Sequence, residues 1–241
     1  MCGRFALAQY DQNVKKALDL SGLVSPPARY NIAPTQPVLI IVPQGRDGRI
    51  AKLVRWGLVP GWVKDFRSFP LLFNARGESA ADKPAFRGAM RHRRCLIPAD
   101  GFYEWQALEG KTKQPYLLRR PDGGMFYFAG LWESWMDANG NELDSAAILT
   151  VAVNDALAAI HHRMPAVIMP EDEEQWLDPQ VPPAEAALLL KPAPEDFFQA
   201  MPISARISKF ANDDPSVQQG IAVSDMSDTE EKPDDPQIDL F

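Results

Sequence analysis

The sequence predicts an α+β protein built on a mainly antiparallel, barrel-like β core with peripheral helices. Three observations carry that prediction. Five strand-like runs crowd together at 95–97, 102–106, 116–119, 125–132 and 146–153. Glycine, Asn and Asp turns separate several of them, as in Pro121-Asp122-Gly123-Gly124 and Asn139-Gly140-Asn141. Links this short join antiparallel neighbours, whereas parallel strands need crossovers, usually helical.

The elements follow in order. Residues 9–20 read as a helix, with Val14, Leu18 and nearby apolar positions on one face. Arg29-Tyr30-Asn31-Ile32-Ala33-Pro34-Thr35 reads as a loop. A strand is expected at 38–42, then a polar turn through Gly45, Asp47 and Gly48, then a strand over about 51–58. Residues 78–91 carry a helical pattern that Pro84 must restart or bend, because proline lacks the backbone donor. Helical segments return at 155–160, at 171–177 behind Pro170, and at 184–190. Beyond about Asn212 the chain turns acidic, polar and nearly free of aromatics until its last residue, the composition of a disordered tail. The domain is therefore expected over residues 2–210 and the tail over 211–241.

At 241 residues the chain has ample length for a packed core. It lacks a run of about 18 apolar residues that would mark a membrane span. It also lacks a charged-then-apolar leader. Cys2 and Cys95 are its two cysteines, which excludes a disulfide framework or a multi-cysteine zinc site and fits a reducing cytosol. Cys95 sits in apolar Arg94-Cys95-Leu96-Ile97-Pro98 and reads as core. The net charge of −7 argues at first sight against nucleic acid, but its distribution reverses that. Residues 211–241 hold nine acids and one base, leaving the first 210 residues with 24 bases and 23 acids. Between Arg55 and Glu104 stand nine Lys/Arg and five Asp/Glu, so a local basic face is permitted.

The most informative feature is the start, Met1-Cys2-Gly3-Arg4-Phe5. Initiator methionine is usually trimmed before a small residue. Trimming would leave Cys2 with a thiol and a free α-amine on one residue. Their reference pKa values, about 8.5 and about 7.7–8.0, put both partly in nucleophilic form at cellular pH. A 1,2-aminothiol condenses with an aldehyde to a Schiff base. The adjacent thiolate then closes onto the same carbon as a five-membered thiazolidine, and intramolecularity favours the closure.

Three further segments place polar residues in apolar contexts: Phe73-Asn74-Ala75-Arg76-Gly77-Glu78, Gly101-Phe102-Tyr103-Glu104-Trp105 and Ile160-His161-His162-Arg163-Met164-Pro165. By strand alternation Glu104 faces opposite to Tyr103 and Trp105. In a pocket its pKa would rise toward proton-transfer duty; on an open strand it would take a salt-bridge partner. His161 or His162 could exchange protons, or both could sit at the surface or cap a turn. Adjacent histidines point apart, which argues against a metal. Asn74 could orient a nucleophile or cap the helix near Glu78. Arg76 and Arg163 could grip phosphate bidentately or serve structural ion pairs. In Trp56-Gly57-Leu58-Val59-Pro60-Gly61-Trp62, two rings could stack on unpaired bases, or cover a sheet as core.

Together with Arg29 to Thr35 and Arg55-Trp56-Gly57-Leu58-Val59-Pro60, these segments resemble the SOS response-associated peptidase (SRAP) family, in order and over roughly residues 2–210. The resemblance implies the SRAP fold. It also implies a sensor of abasic single-stranded DNA that crosslinks itself through the N-terminal cysteine and shields the site from strand cleavage. It assigns Cys2 the amine and thiol, Asn74 the positioning of Cys2, Glu104 proton shuttling and His161 proton transfer at sugar oxygens. Arg76 and Arg163 correspond to phosphate contacts, and Arg4 and Trp56 to the DNA-binding surface. No cofactor or metal is implied, and the protein is expected to act as a monomer in the cytoplasm, associated with the nucleoid. The alternative is a Cys2-dependent peptidase or amidohydrolase, self-processing included, with His161 and Glu104 as proton-transfer partners.

The chain ends Gln237-Ile238-Asp239-Leu240-Phe241. Gln237, Asp239, Leu240 and Phe241 resemble the short peptide by which bacterial replication proteins dock on the sliding clamp. An acidic tether ending in two apolar anchors suits a partner's apolar groove; the other reading is an end that folds back onto the domain.

Overall fold

The computed structural model describes residues 2–45, 48–110 and 112–221. The strands among them begin with β1 (Phe5–Leu7), β2 (Arg29–Ile32), β3 (Pro37–Gln44), β4 (Gly48–Trp56), β5 (Asn74–Arg76), β6 (Arg94–Ala99) and β7 (Gly101–Ala107). They continue as β8 (Lys113–Arg119), β9 (Phe126–Met136), β10 (Glu142–Ala152), β11 (Arg163–Pro165), β12 (Val167–Ile168) and β13 (Gln199–Pro202). The helices are short and peripheral: α1 (Gln12–Ser21), α2 (Gly77–Ala80), α3 (Arg87–His92), α4 (Glu173–Leu177) and α5 (Pro183–Ala187).

Strands β10, β4, β3, β6 and β9 hydrogen-bond in that order, and β9 pairs back onto β10. The cycle is a closed barrel, which leaves no edge for stray pairing. Strands β11, β12 and β5 pair with its members. A second sheet runs β13-β8-β7-β1-β2. Pairing is antiparallel except where β10 runs parallel to β4 and β5. The α+β, mainly antiparallel, barrel-like core is the one the sequence predicts.

Alternation in the second sheet positions the site. Phe5, Phe102 and Leu118 point into the main core, which also holds Trp56 and Phe128. Their neighbours Ala6, Tyr103 and Leu117 pack on the opposite face with Ile203, Ile207 and Val217. Glu104 is two residues on from Phe102, so it points toward the barrel.

Two local expectations are corrected. Residues 29–32 form a strand rather than a loop. The backbone amides of Tyr30 and Asn31 donate to the Asp213 carboxylate at 2.5 and 2.8 Å, a partner too distant in sequence for a local pattern to reveal. The same contacts tie residues just beyond 210 to the domain. Residues 211–221 are folded: Asp213 pairs with Arg29, Val217 is buried, and the Ile221 amide donates to the Pro202 carbonyl at 3.0 Å. The helical pattern at 78–91 restarts across Pro84 as expected, into α2 and α3, whereas the helix expected at 155–160 shrinks to a single 3-10 turn at Asp155–Leu157.

Candidate functional site

Cys2 precedes β1 and is wholly buried. Its thiol donates weakly to the Arg4 carbonyl at 3.7 Å. Burial, reinforced by the negative charge of Glu104, pushes the thiol far above the ordinary range. A thiolate here would lack water to solvate it.

Asn74 opens β5, whose parallel pairing to β10 sets it opposite Ile148. Its Nδ2 donates to the Cys2 carbonyl at 2.9 Å. Its Oδ1 is buried without a hydrogen-bond partner among the described residues. The amide thus holds the cysteine backbone at one end and offers an acceptor to an incoming donor at the other. The capping alternative does not hold, since α2 has no side-chain cap and its N-cap residue is Arg76.

Glu104 lies on β7 opposite Tyr116 and is 4% exposed. Burial pushes its carboxyl from 4.5 up to about 7. A group poised there is present in both protonation states at cellular pH, as general acid–base work requires. The open-strand alternative fails on its burial.

Glu104, His161 and Arg163 line one small cavity with Phe102 and Met164. The His161 Nδ1 lies 3.0 Å from the Arg163 amide and 2.9 Å from the Arg163 carbonyl, so one residue's backbone can serve either tautomer. Burial holds the His161 pKa below its usual value. Contrary to the expectation that the adjacent histidines point apart, its ring stacks on the exposed His162, with centroids 4.4 Å apart. Among the described residues, no three His, Cys, Asp or Glu side chains converge as metal ligands would.

The four residues assigned to the DNA surface separate into three environments. Arg76 is exposed at the end of β5. The Arg163 Nη1 and Nη2 donate to the two Glu78 carboxylate oxygens at 2.6 and 2.9 Å, and Nη2 also donates to the Thr150 carbonyl at 2.5 Å. Arg4 and Trp56 are both buried. The Arg4 Nη1 donates to Asn31 Oδ1 and the Ile207 carbonyl, each at 2.9 Å, and its guanidinium lies 3.9 Å from the centre of the Phe210 ring. It staples β1 to β2 and to the C-terminal part of the domain. Trp56 is 0% exposed, packs edge-to-face on Phe5 and Phe73, and donates through Nε1 to the Phe73 carbonyl at 2.8 Å.

The exposed ring of that segment is Trp62, 61% accessible. It borders an open groove with Leu72, Asn74, Arg76, Lys83 and Phe86. Gly57 separates the two tryptophans and turns the chain at a φ of 133°; a Cβ there would meet Leu71 Cδ1 at 2.4 Å. The sequence offered both rings, but the inward face of β4 (Val54, Trp56) decides between them. Lys83 and Thr150 carried no local signal of their own, and Glu78, though it closes one of the polar segments, was assigned no role. Gln237, Asp239, Leu240 and Phe241 lie outside the described residues.

This fold and this site define a closed-barrel protein with an N-terminal cysteine centre. The chain belongs to the family described as SOS response associated peptidase (SRAP), which it matches over residues 1–210. It is 38% identical over 224 residues to Bacillus subtilis "Abasic site processing protein YoqW", covering 90% of this chain and 98% of that one. It is 32% identical over 221 residues to Escherichia coli "Abasic site processing protein YedK", covering 88% and 96%. A solved structure of a protein from Bacteroides thetaiotaomicron superposes with a TM-score of 0.77 at 29% identity, over 92% of this chain and 100% of that one.

Proposed function

We propose that this protein processes abasic sites in single-stranded DNA by capturing the ring-opened deoxyribose on Cys2 as a thiazolidine. One observation carries the reading: Asn74 holds the Cys2 backbone beside a buried carboxyl, Glu104, that is half-protonated near pH 7. The names of the relatives, abasic site processing proteins, support the same substrate.

The burial of Cys2 favours an order of events. The amine, freed by loss of Met1, attacks the aldehyde first. Glu104 takes the ammonium proton and returns a proton to the departing oxygen, so one water leaves as the imine forms. The thiol then adds across the C=N bond: sulfur bonds to carbon, and the thiol proton passes to nitrogen by way of Glu104. His161 exchanges protons with the sugar oxygens, and the Asn74 Oδ1 accepts from a sugar hydroxyl. The product has no imine left to promote β-elimination, so the strand stays whole. Trp62 stacks on an unpaired base in place of Trp56, and Arg76 meets phosphate.

Intact-mass spectrometry and a denaturing gel test this, using single-stranded DNA with one uracil-derived abasic site. Loss of one methionine with a denaturation-resistant DNA adduct is expected. No adduct from fully trimmed protein overturns the reading and brings forward the peptidase, in which Cys2 attacks an acyl carbon.

The acidic segment after residue 221 is proposed as a tether, with Gln237, Asp239, Leu240 and Phe241 docking on the replication sliding clamp and bringing the domain to the nucleoid. Deleting the last five residues should abolish pull-down by the clamp and leave adduct formation untouched.

A further inference from the structure

Arg163 presents a contradiction. It lines the cavity that holds Glu104 and His161, as a phosphate-gripping residue should, yet both of its terminal nitrogens are already engaged, while its buried Nε has no hydrogen-bond partner among the described residues. Two of its nitrogens are clamped by Glu78, and one of these also serves Thr150. Its side chain is 13% exposed, whereas that of Glu78 is 54% exposed. The carboxylate therefore sits on the solvent side of the cation, where an incoming phosphate oxygen would have to arrive. Glu78 stands in the first turn of α2, two residues from exposed Arg76, whose charge it also feels. A carboxylate and a phosphate present the same pair of acceptor oxygens to a guanidinium fork.

We propose that Glu78 is a built-in anion that occupies the phosphate-binding edge of Arg163 until DNA exchanges for it, setting how much Arg163 contributes to DNA binding. This rests on the DNA reading given above. The exchange swaps one ion pair for another, so Arg163 adds little affinity for undamaged backbone. A strand that gains further binding free energy at the sugar, through Cys2 and Asn74, can complete the exchange. Glu78 thereby lowers what Arg163 adds to the binding of a strand.

Counterion release makes the idea measurable. On undamaged DNA, a guanidinium still held by Glu78 neutralises no phosphate and so releases none of the strand's condensed counterions. Without Glu78, Arg163 would contribute one more neutralised phosphate, and for single strands each such contact steepens the dependence of log K on log salt by about 0.7. The experiment compares full-length wild type, Glu78→Gln, Arg163→Gln and the double variant on undamaged single-stranded DNA across a salt series. The expected result is several-fold tighter binding by Glu78→Gln at low salt, a slope steeper by about 0.7, and both gains absent in the Arg163→Gln background. An unchanged slope, weaker binding, or a gain that survives Arg163→Gln overturns the proposal. Should Glu78→Gln melt early, Glu78→Ser removes the same charge. Wild type binding no DNA would refute the underlying reading. Wild type binding DNA with no slope change in Glu78→Gln refutes only the role of Glu78.

Discussion

The two sheets supply unlike chemistry to the site they share. The five-stranded sheet contributes buried groups: Cys2 leads into β1 and Glu104 stands on β7. The barrel side contributes polar and cationic groups nearer to water: Asn74 and Arg76 on β5 and Arg163 on β11. The difference follows from what each group must do. A proton-transfer carboxyl is tuned by desolvation, so it needs the core. A phosphate-binding guanidinium must reach solvent and is weakened by structural partners. Arg4 marks the contrast: buried and fully engaged, it acts as a staple.

The harshest way to break this comparison is to remove the thiol that closes the ring. Cys2→Ala should abolish the denaturation-resistant adduct completely while retaining affinity for single-stranded DNA, read by denaturing gel and by fluorescence anisotropy respectively. A variant that still crosslinks would mean that the buried side is not the reacting side.

Glu104→Gln tests the tuning. Loss of a general acid–base group costs roughly 100- to 10,000-fold in rate, so single-turnover adduct formation should slow by that order and lose its pH dependence near 7. The same carboxyl makes a stability claim. An unfolded Glu titrates near about 4.3, whereas folded Glu104 titrates at about 7. Between those values the unfolded chain releases a proton that the folded chain keeps. Stability therefore falls as pH rises through this window and levels off above it, by roughly 2–4 kcal/mol at about 1.4 kcal/mol per pH unit. Thermal melts at pH 5 and pH 8 should show this loss in wild type and not in Glu104→Gln.

The paired tryptophans sharpen the comparison from the packing side. Trp56→Ala should cost about 3–5 kcal/mol of stability, the usual penalty for emptying a large core site. Trp62→Ala should leave the melting temperature near wild type and weaken single-strand binding by about 1–3 kcal/mol, the worth of one stacked base. Equal melting losses in the two would contradict their assignment to core and rim.

The sequence made the buried side the more legible one. Alternation along β7 was enough to aim Glu104 away from Tyr103 and Trp105, and Gly/Asn/Asp turns were enough to call an antiparallel core. The exposed side was harder to read, because exposure there is set by partners far along the chain. Whether Arg4 faces water depends on Ile207 and Phe210, and whether Arg163 is available depends on Glu78. The strand at 29–32 failed for the same reason, resting on Asp213. A local pattern reports which residues alternate, while tertiary pairing decides which cations are already taken.

Arg76 gives the finest test of that last point. It is exposed, and unlike Arg163 it stands outside the cavity that holds Glu104. If it meets one phosphate, Arg76→Gln should weaken binding to single-stranded DNA similarly for intact and abasic strands. The salt slope should become shallower by about 0.7, the counterion share of one single-strand contact. Its melting temperature should hold, since it has no buried contact to lose. At saturating DNA the rate of adduct formation should also hold, because the deficit is one of encounter and not of chemistry. A lower rate at saturation would instead put Arg76 at the reacting sugar, and the division between a buried reacting side and a wet anchoring side would fail at its smallest member.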